Sequence, residues 1–158
     1  MFPFKQLPVD VPRILLIKRN AIHDPRLGKP PHARSIEELL QCGLIILDKP
    51  AGPSSHEVSA WIRKILQLKK VGHGGTLDPG VTGILPIALG DATKILGPIL
   101  RSPKEYVCIM KLHAKVSHNS VKNVLKEFVG KIYQVPSTRS AVTRRLRSRE
   151  IYYIRGIK

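Results

Sequence analysis

Residues 71–83 read Val71-Gly72-His73-Gly74-Gly75-Thr76-Leu77-Asp78-Pro79-Gly80-Val81-Thr82-Gly83. Glycine permits backbone conformations that other residues resist, and it lets another molecule approach closely. Asp78 is the one carboxylate of this stretch, and Pro79 fixes the backbone next to it. Since the chain has 11 acidic residues against 27 basic ones, this carboxylate needs an explanation. The residues alone leave two: a functional group in a flexible loop, or the first residue of an ordinary Asp-Pro-Gly turn.

The net charge of the chain is the strongest global signal. With 158 residues and 42% hydrophobic content, the chain fits one ordinary folded domain. A formal charge of +16 favours a polyanionic partner, RNA or DNA, over a membrane. No long uninterrupted apolar run supports membrane binding. We therefore expect a nucleic-acid partner and no membrane.

The cysteines indicate the compartment. Cys42 and Cys108 are too few and too far apart for a zinc cluster or a disulfide framework. Their pattern predicts buried free thiols in a reducing compartment. The N-terminus shows no basic region followed by an apolar segment, so no secretory signal is evident. These features predict an intracellular protein without a metal site.

Residues 1–35 predict an extended basic arm, and residues 36–158 a compact region. The arm holds six of the 13 prolines of the chain, which disfavour a long helix: Pro3, Pro8, Pro12, Pro25, Pro30 and Pro31. Its exception is a short β-like run over residues 13–18.

The compact region predicts alternating helices and strands. A short helix after Ser35 is ended by Gly43, and residues 44–47 form a buried strand. Ser54 and Glu57 have capping-box spacing before the clearest helix. That helix has apolar residues at helical period: Val58, Trp61, Ile62, Ile65 and Leu66.

Further elements follow the Gly-rich stretch. Residues 84–89 form an apolar run, which the polar residues 90–93 end. Residues 106–112 predict another strand. Val121, Val124, Leu125 and Phe128 mark an amphipathic helix stopped by Gly130, and residues 151–154 are β-prone. The pattern is mixed α/β without an internal repeat.

Two groups of basic residues are candidate RNA contacts. One lies on and after the predicted capped helix and is either a solvated face or a phosphate-binding one: Arg63, Lys64, Lys69 and Lys70. The other is an arginine-rich segment near the end of the chain: Arg139, Arg144, Arg145, Arg147 and Arg149. The planar donors of arginine suit phosphate oxygens.

Taken together, these motifs resemble the TruB/dyskerin family of RNA pseudouridine synthases. Residues 72–79 resemble the catalytic loop of the family, residues 47–58 its first motif and residues 104–107 its second. The arginine-rich segment resembles the loop that clasps substrate RNA. The arm and residues 88–93 are closer to the archaeal dyskerin type than to bacterial TruB. The resemblance covers essentially the whole chain in collinear order, and it favours a functional role for Asp78.

The resemblance implies part of a catalytic domain with a mostly antiparallel sheet flanked by helices (α+β). The implied reaction converts uridine to pseudouridine by exchanging the N1–C1′ bond for C5–C1′. Asp78 matches the catalytic aspartate, and three routes stay open for it: attack at C1′, attack at C6, or assistance to elimination at the ribose.

The other site residues are likewise implied by the resemblance. Tyr106 matches the tyrosine that stacks on the extruded base, and Gly75, Thr76 and Leu77 are counted with it as substrate-binding. His73 matches a residue near the flipped nucleotide, with a loop histidine bonded to backbone as the equal alternative. Lys49 is grouped with the RNA-binding residues, although it matches a lysine with a mainly structural role.

The resemblance also implies the working context. The family uses no metal and no organic cofactor. Dyskerin-type enzymes take their specificity from a box H/ACA guide RNA, act on ribosomal RNA or tRNA, and work with small protein partners. The implied location is cytoplasmic, or nucleolar in a eukaryote.

The chain departs from the family at its end and at Gly80. Family members continue with further strands and a PUA domain, so we expect a truncated chain that exposes strand edges and folds poorly or aggregates alone. Gly80 stands where the family usually has lysine or arginine, which predicts weaker RNA binding. The competing functions are a non-catalytic RNA-binding remnant and a basic ribosomal-type structural protein.

Overall fold

The computed structural model describes residues 7, 10–20, 24, 26–138 and 143–156. They divide into two compact units. The first, which we call the sheet unit, runs from Leu16 to Ser102. The second, the hairpin unit, combines the residues before Leu16 with those from Pro103 onward.

The sheet unit is a three-stranded antiparallel sheet with short helices. Its elements are α1 (Ile36–Gln41), β1 (Leu44–Lys49), α2 (Ser55–Ile65), β2 (Val71–His73), β3 (Gly83–Leu89) and α3 (Leu96–Arg101), with 3-10 turns at Pro31–Ala33 and Gly90–Ile95. The strand order is β1-β3-β2. Leu44 pairs with Ala88 and Lys49 with Gly83 across β1 and β3, and His73 pairs with Ile87 across β2 and β3. The predicted mixed architecture with an antiparallel sheet is confirmed.

Both α1 and α2 begin with a capping box. The Ser54 hydroxyl accepts from the Glu57 N–H at 3.2 Å, and the Glu57 carboxylate accepts from the Ser54 N–H at 2.7 Å. These bonds satisfy amides that a helix N-terminus leaves unpaired. Ser35 and Glu38 form the same arrangement at α1. The predicted starts of both helices are confirmed.

The core of the sheet unit lies between β3 and α2. Leu85 and Ile87 are fully buried, and Val58 and Leu89 nearly so. Ile62 and Leu66 pack against them, as the helical periodicity predicts. Trp61 and Ile65 are instead 53% and 74% exposed, because only one side of α2 meets the sheet. The burial predicted for the thiols is also wrong, since Cys42 and Cys108 are both free and exposed.

The opposite face of β1 is apolar and exposed. Leu44, Ile46 and Ile84 are 44%, 61% and 70% exposed. Paired residues of antiparallel strands share a face, so these side chains lie together on one side of β1 and β3. β1 is also an edge of this sheet in the described part of the chain. The strand predicted over residues 44–47 is therefore present, but it is buried on only one face, so its predicted burial is half wrong. An exposed strand edge is present at β1, as predicted.

The hairpin unit contains α4 (His118–Glu127), β4 (Gly130–Gln134) and β5 (Arg147–Ile151). β4 and β5 are antiparallel, with Gly130 opposite Ile151 and Gln134 opposite Arg147. The helix predicted before Gly130 is confirmed. Of the β-prone residues 151–154, only Ile151 belongs to a strand.

The strand predicted over residues 106–112 is wrong. Residues 103–112 have no regular secondary structure, and each is exposed. A β-prone run becomes a strand only where a neighbouring strand receives its hydrogen bonds and its apolar face. Among the described residues no strand pairs with this segment.

Candidate active site

Asp78 lies in the loop that joins β2 to β3, residues 74–82, which we call the Asp78 loop. The Val81 N–H donates to the Asp78 carbonyl at 3.0 Å, which closes a four-residue turn with Pro79 and Gly80 at its centre. Asp78 itself is half-buried. The turn expected for Asp-Pro-Gly is therefore present, and the loop places the carboxylate at the end of the β2–β3 hairpin.

Ser55 holds the residue before Asp78. Its hydroxyl donates to the Leu77 carbonyl at 3.1 Å and accepts from the Leu77 N–H at 2.9 Å. Ser55 is only 1% exposed, and the Leu77 side chain packs against the hydrophobic core. The loop is therefore fixed to α2 immediately before the carboxylate.

Lys49 and Gly52 hold the residue after Asp78. The Gly52 N–H donates to the Pro79 carbonyl at 2.8 Å. The Lys49 ammonium donates to the carbonyls of Pro50 and Pro53, each at 2.8 Å, and to that of Pro79 at 3.4 Å. These bonds join the β1–α2 turn to the Asp78 loop.

Lys49 is fully buried, and its position contradicts a direct RNA contact. An ammonium is buried at low cost only when its donors are bonded, and here three backbone carbonyls provide that bonding. A phosphate oxygen cannot reach a side chain with no exposed surface. Lys49 is corrected to a structural residue and does not belong to the RNA-binding set.

His73, the last residue of β2, bonds to the backbone of the Asp78 loop. Its Nδ1 hydrogen-bonds to the carbonyl of Gly75. Because a carbonyl only accepts, this contact assigns the ring proton to Nδ1. The loop-histidine alternative thus describes its contact in this structure, while a role near the nucleotide stays a prediction.

The glycines of β2 and of the Asp78 loop serve two different purposes. A Cβ at Gly72 would lie 2.7 Å from Leu96 Cδ1, and one at Gly74 would lie 2.6 Å from Ile99 Cγ2. These two glycines therefore let α3 pack closely on β2. At Gly75 and Gly80 a Cβ would meet nothing within 4 Å. Open space for a ligand is found at these positions, beside the exposed Thr76.

Tyr106 belongs to the hairpin unit, in residues 103–112, which we call the Tyr106 segment. The Tyr106 side chain is 74% exposed. Its neighbour Glu105 accepts a hydrogen bond from Tyr153, and burial together with this contact raises the pKa of the Tyr153 hydroxyl above its usual value. An exposed aromatic ring is available for stacking, and this contact joins its segment to the residues after β5.

The candidate RNA-binding residues are mostly exposed. Arg63, Lys69 and Lys70 are exposed on and after α2, and Arg144, Arg145 and Arg149 near β5. Arg147 is half-buried and donates to the Thr143 carbonyl at 2.9 Å. Arg147 and Arg149 lie within β5, so the segment expected as a loop is partly a strand. Arg139 lies outside the described residues.

Neither a metal centre nor a membrane span is found in the described part of the chain. No three or more His, Cys, Asp and Glu side chains there are grouped to hold a metal ion. No helix there has the length and apolar character needed to cross a bilayer.

Two family models match the chain. The N-terminal domain of the TruB family pseudouridylate synthases matches residues 63–155, and the DKCLD domain matches residues 5–59. The first match includes the Asp78 loop, the Tyr106 segment and β5. The chain belongs to the TruB family of pseudouridylate synthases, as its motifs predict.

The chain is similar to curated proteins from Pyrococcus horikoshii and Methanopyrus kandleri. A probable tRNA pseudouridine synthase B of Pyrococcus horikoshii is 54% identical over 151 residues, which are 95% of this chain and 45% of the relative. Its counterpart in Methanopyrus kandleri is 55% identical over 150 residues, 95% of this chain and 44% of the relative. The chain thus spans somewhat less than half the length of the curated relatives it matches.

Solved structures agree with this assignment. A chain of a Cbf5-Nop10-Gar1 complex superposes with a TM-score of 0.83 at 54% identity, covering 94% of this chain and 46% of that one. A chain of an H/ACA ribonucleoprotein bound to a substrate RNA containing 2′-deoxyuridine gives 0.81 at 48% identity, covering 98% and 46%. The fold of this chain is therefore that of the N-terminal portion of a catalytic domain of this family.

Proposed function

We propose that this chain carries the aspartate-bearing part of a guide-dependent RNA pseudouridine synthase. The reaction isomerises uridine to pseudouridine in ribosomal RNA. The proposal includes tRNA as a further substrate. The observation that carries it is the half-buried carboxylate of Asp78, whose loop is held on both sides by the buried side chains of Ser55 and Lys49, in a chain of this family.

The roles of the site residues follow from their positions. Asp78 acts on the ribose or the base of an extruded uridine, and its three routes remain open. Gly75, Thr76 and Gly80 border open space beside it, where an RNA backbone can approach. Tyr106, with its exposed ring, stacks on a base. Leu77 supports the loop from within it, and His73 supports it from the end of β2; a contact of both with the substrate belongs to the same proposal.

RNA and small proteins are the proposed partners. A charge of +16 and the exposed arginines and lysines support contacts with guide and substrate RNA. The solved relatives are seen with Nop10 and Gar1 and with substrate RNA, which supports small ribonucleoprotein partners for this chain. We place the protein in the cytoplasm if archaeal, or the nucleolus if eukaryotic. Residues 1–35 are its basic arm and residues 36–158 its part of the catalytic domain. No cofactor is required.

The test is tritium release from C5-labelled uridine in RNA, with guide RNA and partner proteins supplied. Formation of the C5–C1′ bond expels the C5 hydrogen, so each turnover releases one label. We expect release by the parent and background release by Asp78→Ala, with RNA affinity unchanged. Asp78→Asn keeps the size of the side chain and removes only the carboxylate. Release by this variant should also fall to background, which separates loss of the carboxylate from loss of side-chain volume.

The alternative is a non-catalytic RNA-binding protein. The exposed basic residues on both units favour it, because they serve RNA binding with or without turnover. In that case neither the parent nor Asp78→Ala releases label, and both bind RNA equally. Release by the parent alone excludes it.

A further inference from the structure

The Ser55 hydroxyl forms hydrogen bonds with both backbone polar groups of Leu77. Its oxygen lies 3.1 Å from the Leu77 carbonyl oxygen and 2.9 Å from the Leu77 nitrogen. A serine hydroxyl has one proton to donate and lone pairs to accept, so a single oxygen fulfils both roles. Ser55 and Leu77 are 22 residues apart in sequence, and Ser55 therefore joins α2 to the loop in the way a paired strand residue would.

The peptide plane between Leu77 and Asp78 is fixed by this contact. Because a peptide unit is planar, holding the Leu77 carbonyl also orients the amide nitrogen of Asp78. On the other side, the Asp78 carbonyl, which belongs to the peptide group between Asp78 and Pro79, accepts from the Val81 N–H at 3.0 Å, and Pro79 has a restricted φ. The Cα of Asp78 thus lies between two fixed peptide groups.

Ser55 is itself well held. It is the first residue of α2, directly after the capping-box residue Ser54, and one turn before the buried Val58. With 1% of its surface exposed, its hydroxyl does not reach a bound RNA. Any influence of Ser55 on the reaction therefore passes through the Asp78 loop.

We propose that Ser55 is a positioning residue that sets the direction of the Asp78 carboxylate through its two bonds to Leu77. This inference rests on the proposed function of Asp78. A misplacement of a reacting group by about 1 Å costs on the order of a hundredfold in rate. Loss of the Ser55 hydroxyl is therefore expected to lower kcat about 10- to 100-fold and to leave RNA affinity within about twofold.

Ser59→Ala is the matched control. Ser59 is buried on the same helix, 6% exposed, and its hydroxyl donates to the Ser55 carbonyl at 2.9 Å. Both substitutions remove one buried hydroxyl from α2, but only Ser55→Ala removes bonds to the loop. The kcat of Ser59→Ala should stay within about twofold of the parent. An equal loss of kcat in both variants, or a loss of RNA affinity matching that of kcat in Ser55→Ala, overturns the proposal.

Amide hydrogen exchange provides a readout that does not depend on turnover. In Ser55→Ala the Leu77 amide should lose protection at least about tenfold, while amides of β3 keep theirs. Ser59→Ala should leave the Leu77 amide protected, and Ser55→Thr, which retains a hydroxyl, should protect it as well. If the parent chain releases no tritium, the proposed function fails while exchange still decides the contact. Unchanged Leu77 exchange in Ser55→Ala overturns the inference by itself.

Discussion

The Asp78 loop and the Tyr106 segment are both irregular in backbone, yet they are held very differently. The Asp78 loop has peptide groups bonded to the buried side chains of Ser55 and Lys49, and its Leu77 packs on the core. The Tyr106 segment is exposed along its whole length. An irregular segment is therefore positioned by the groups that hydrogen-bond to its backbone N–H and C=O groups. The absence of helix or strand does not by itself mean that a segment is loosely held.

The largest expected effect is on the free energy of unfolding, and it compares a buried apolar residue of the sheet unit with an exposed one in the Tyr106 segment. Leu85 is fully buried in the core against which Leu77 of the Asp78 loop packs, and Ile109 is 100% exposed in the Tyr106 segment. Leu85→Ala should lower the free energy of unfolding by about 2–5 kcal/mol through lost burial and a residual cavity. Ile109→Ala should change it by less than about 0.5 kcal/mol.

Urea denaturation followed by fluorescence measures this pair of variants. Trp61 is the one tryptophan of the chain and lies on α2, so its emission reports on the sheet unit. A similar loss of stability in both variants would remove the contrast between the two segments.

A smaller effect is expected at the open side of the Asp78 loop. Gly80 is exposed and has room for a side chain, so Gly80→Lys can place a cation beside Asp78 without disturbing the fold. RNA affinity at low salt should rise a fewfold, with the salt slope steeper by about 0.7–0.9.

Filter binding over a series of salt concentrations measures the affinity. Gly80→Gln supplies a long neutral side chain as the control and should leave the slope unchanged. Equal slopes for Gly80→Lys and the parent would show that no phosphate lies near this side of the loop.

The smallest expected effect concerns the support of Ser55 by the start of α2. The Ser54 N–H, with a further contribution from the Ser54 hydroxyl, holds the pKa of the Glu57 carboxyl below its usual value of 4.5. A depressed folded pKa contributes stability above the unfolded value, and this is lost as pH falls through the folded value. The parent should therefore melt slightly above Glu57→Gln near neutral pH, and the difference should disappear below pH 4.5 as the carboxyl is protonated.

Thermal melts of the parent and Glu57→Gln across pH 3–7 check this dependence. Ser54→Ala removes the other bond of the capping box, in which the Ser54 hydroxyl accepts from the Glu57 N–H, and leaves the Ser54 N–H that donates to the Glu57 carboxylate. It should therefore keep most of the pH dependence that Glu57→Gln loses, and a Ser54→Ala variant without that dependence would contradict the assigned cause.

The sequence predicted those parts of the fold whose signals are local. The capping boxes lie within four residues, and the apolar run before Gly90 is continuous, so α2 and β3 are confirmed close to their predicted positions. The Asp-Pro-Gly turn is local as well. The Tyr106–Leu112 strand was wrong because its β-prone residues carry no information about a pairing partner.

The supports of the Asp78 loop were not predictable in the same way. Ser55 meets Leu77 across 22 residues, and Lys49 meets Pro79 across 30. The capping role of Ser54 is visible from its spacing to Glu57. Ser55 has no comparable local signal for its contact with Leu77. The position of a buried lysine is equally hidden, since lysine is ordinarily a surface residue. Long-range contacts of this kind require the folded chain.

The buried amine of Lys49 allows chemical labelling to report on the Asp78 loop. Every other lysine among the described residues is exposed, so an amine-acylating reagent in aqueous solution reaches them while Lys49 stays unmodified. Labelling of Lys49 requires the bonds to the carbonyls of Pro50, Pro53 and Pro79 to open. The rate at which Lys49 is acylated, followed by peptide mapping, therefore reports how often the β1–α2 turn and the Asp78 loop bonded to it open.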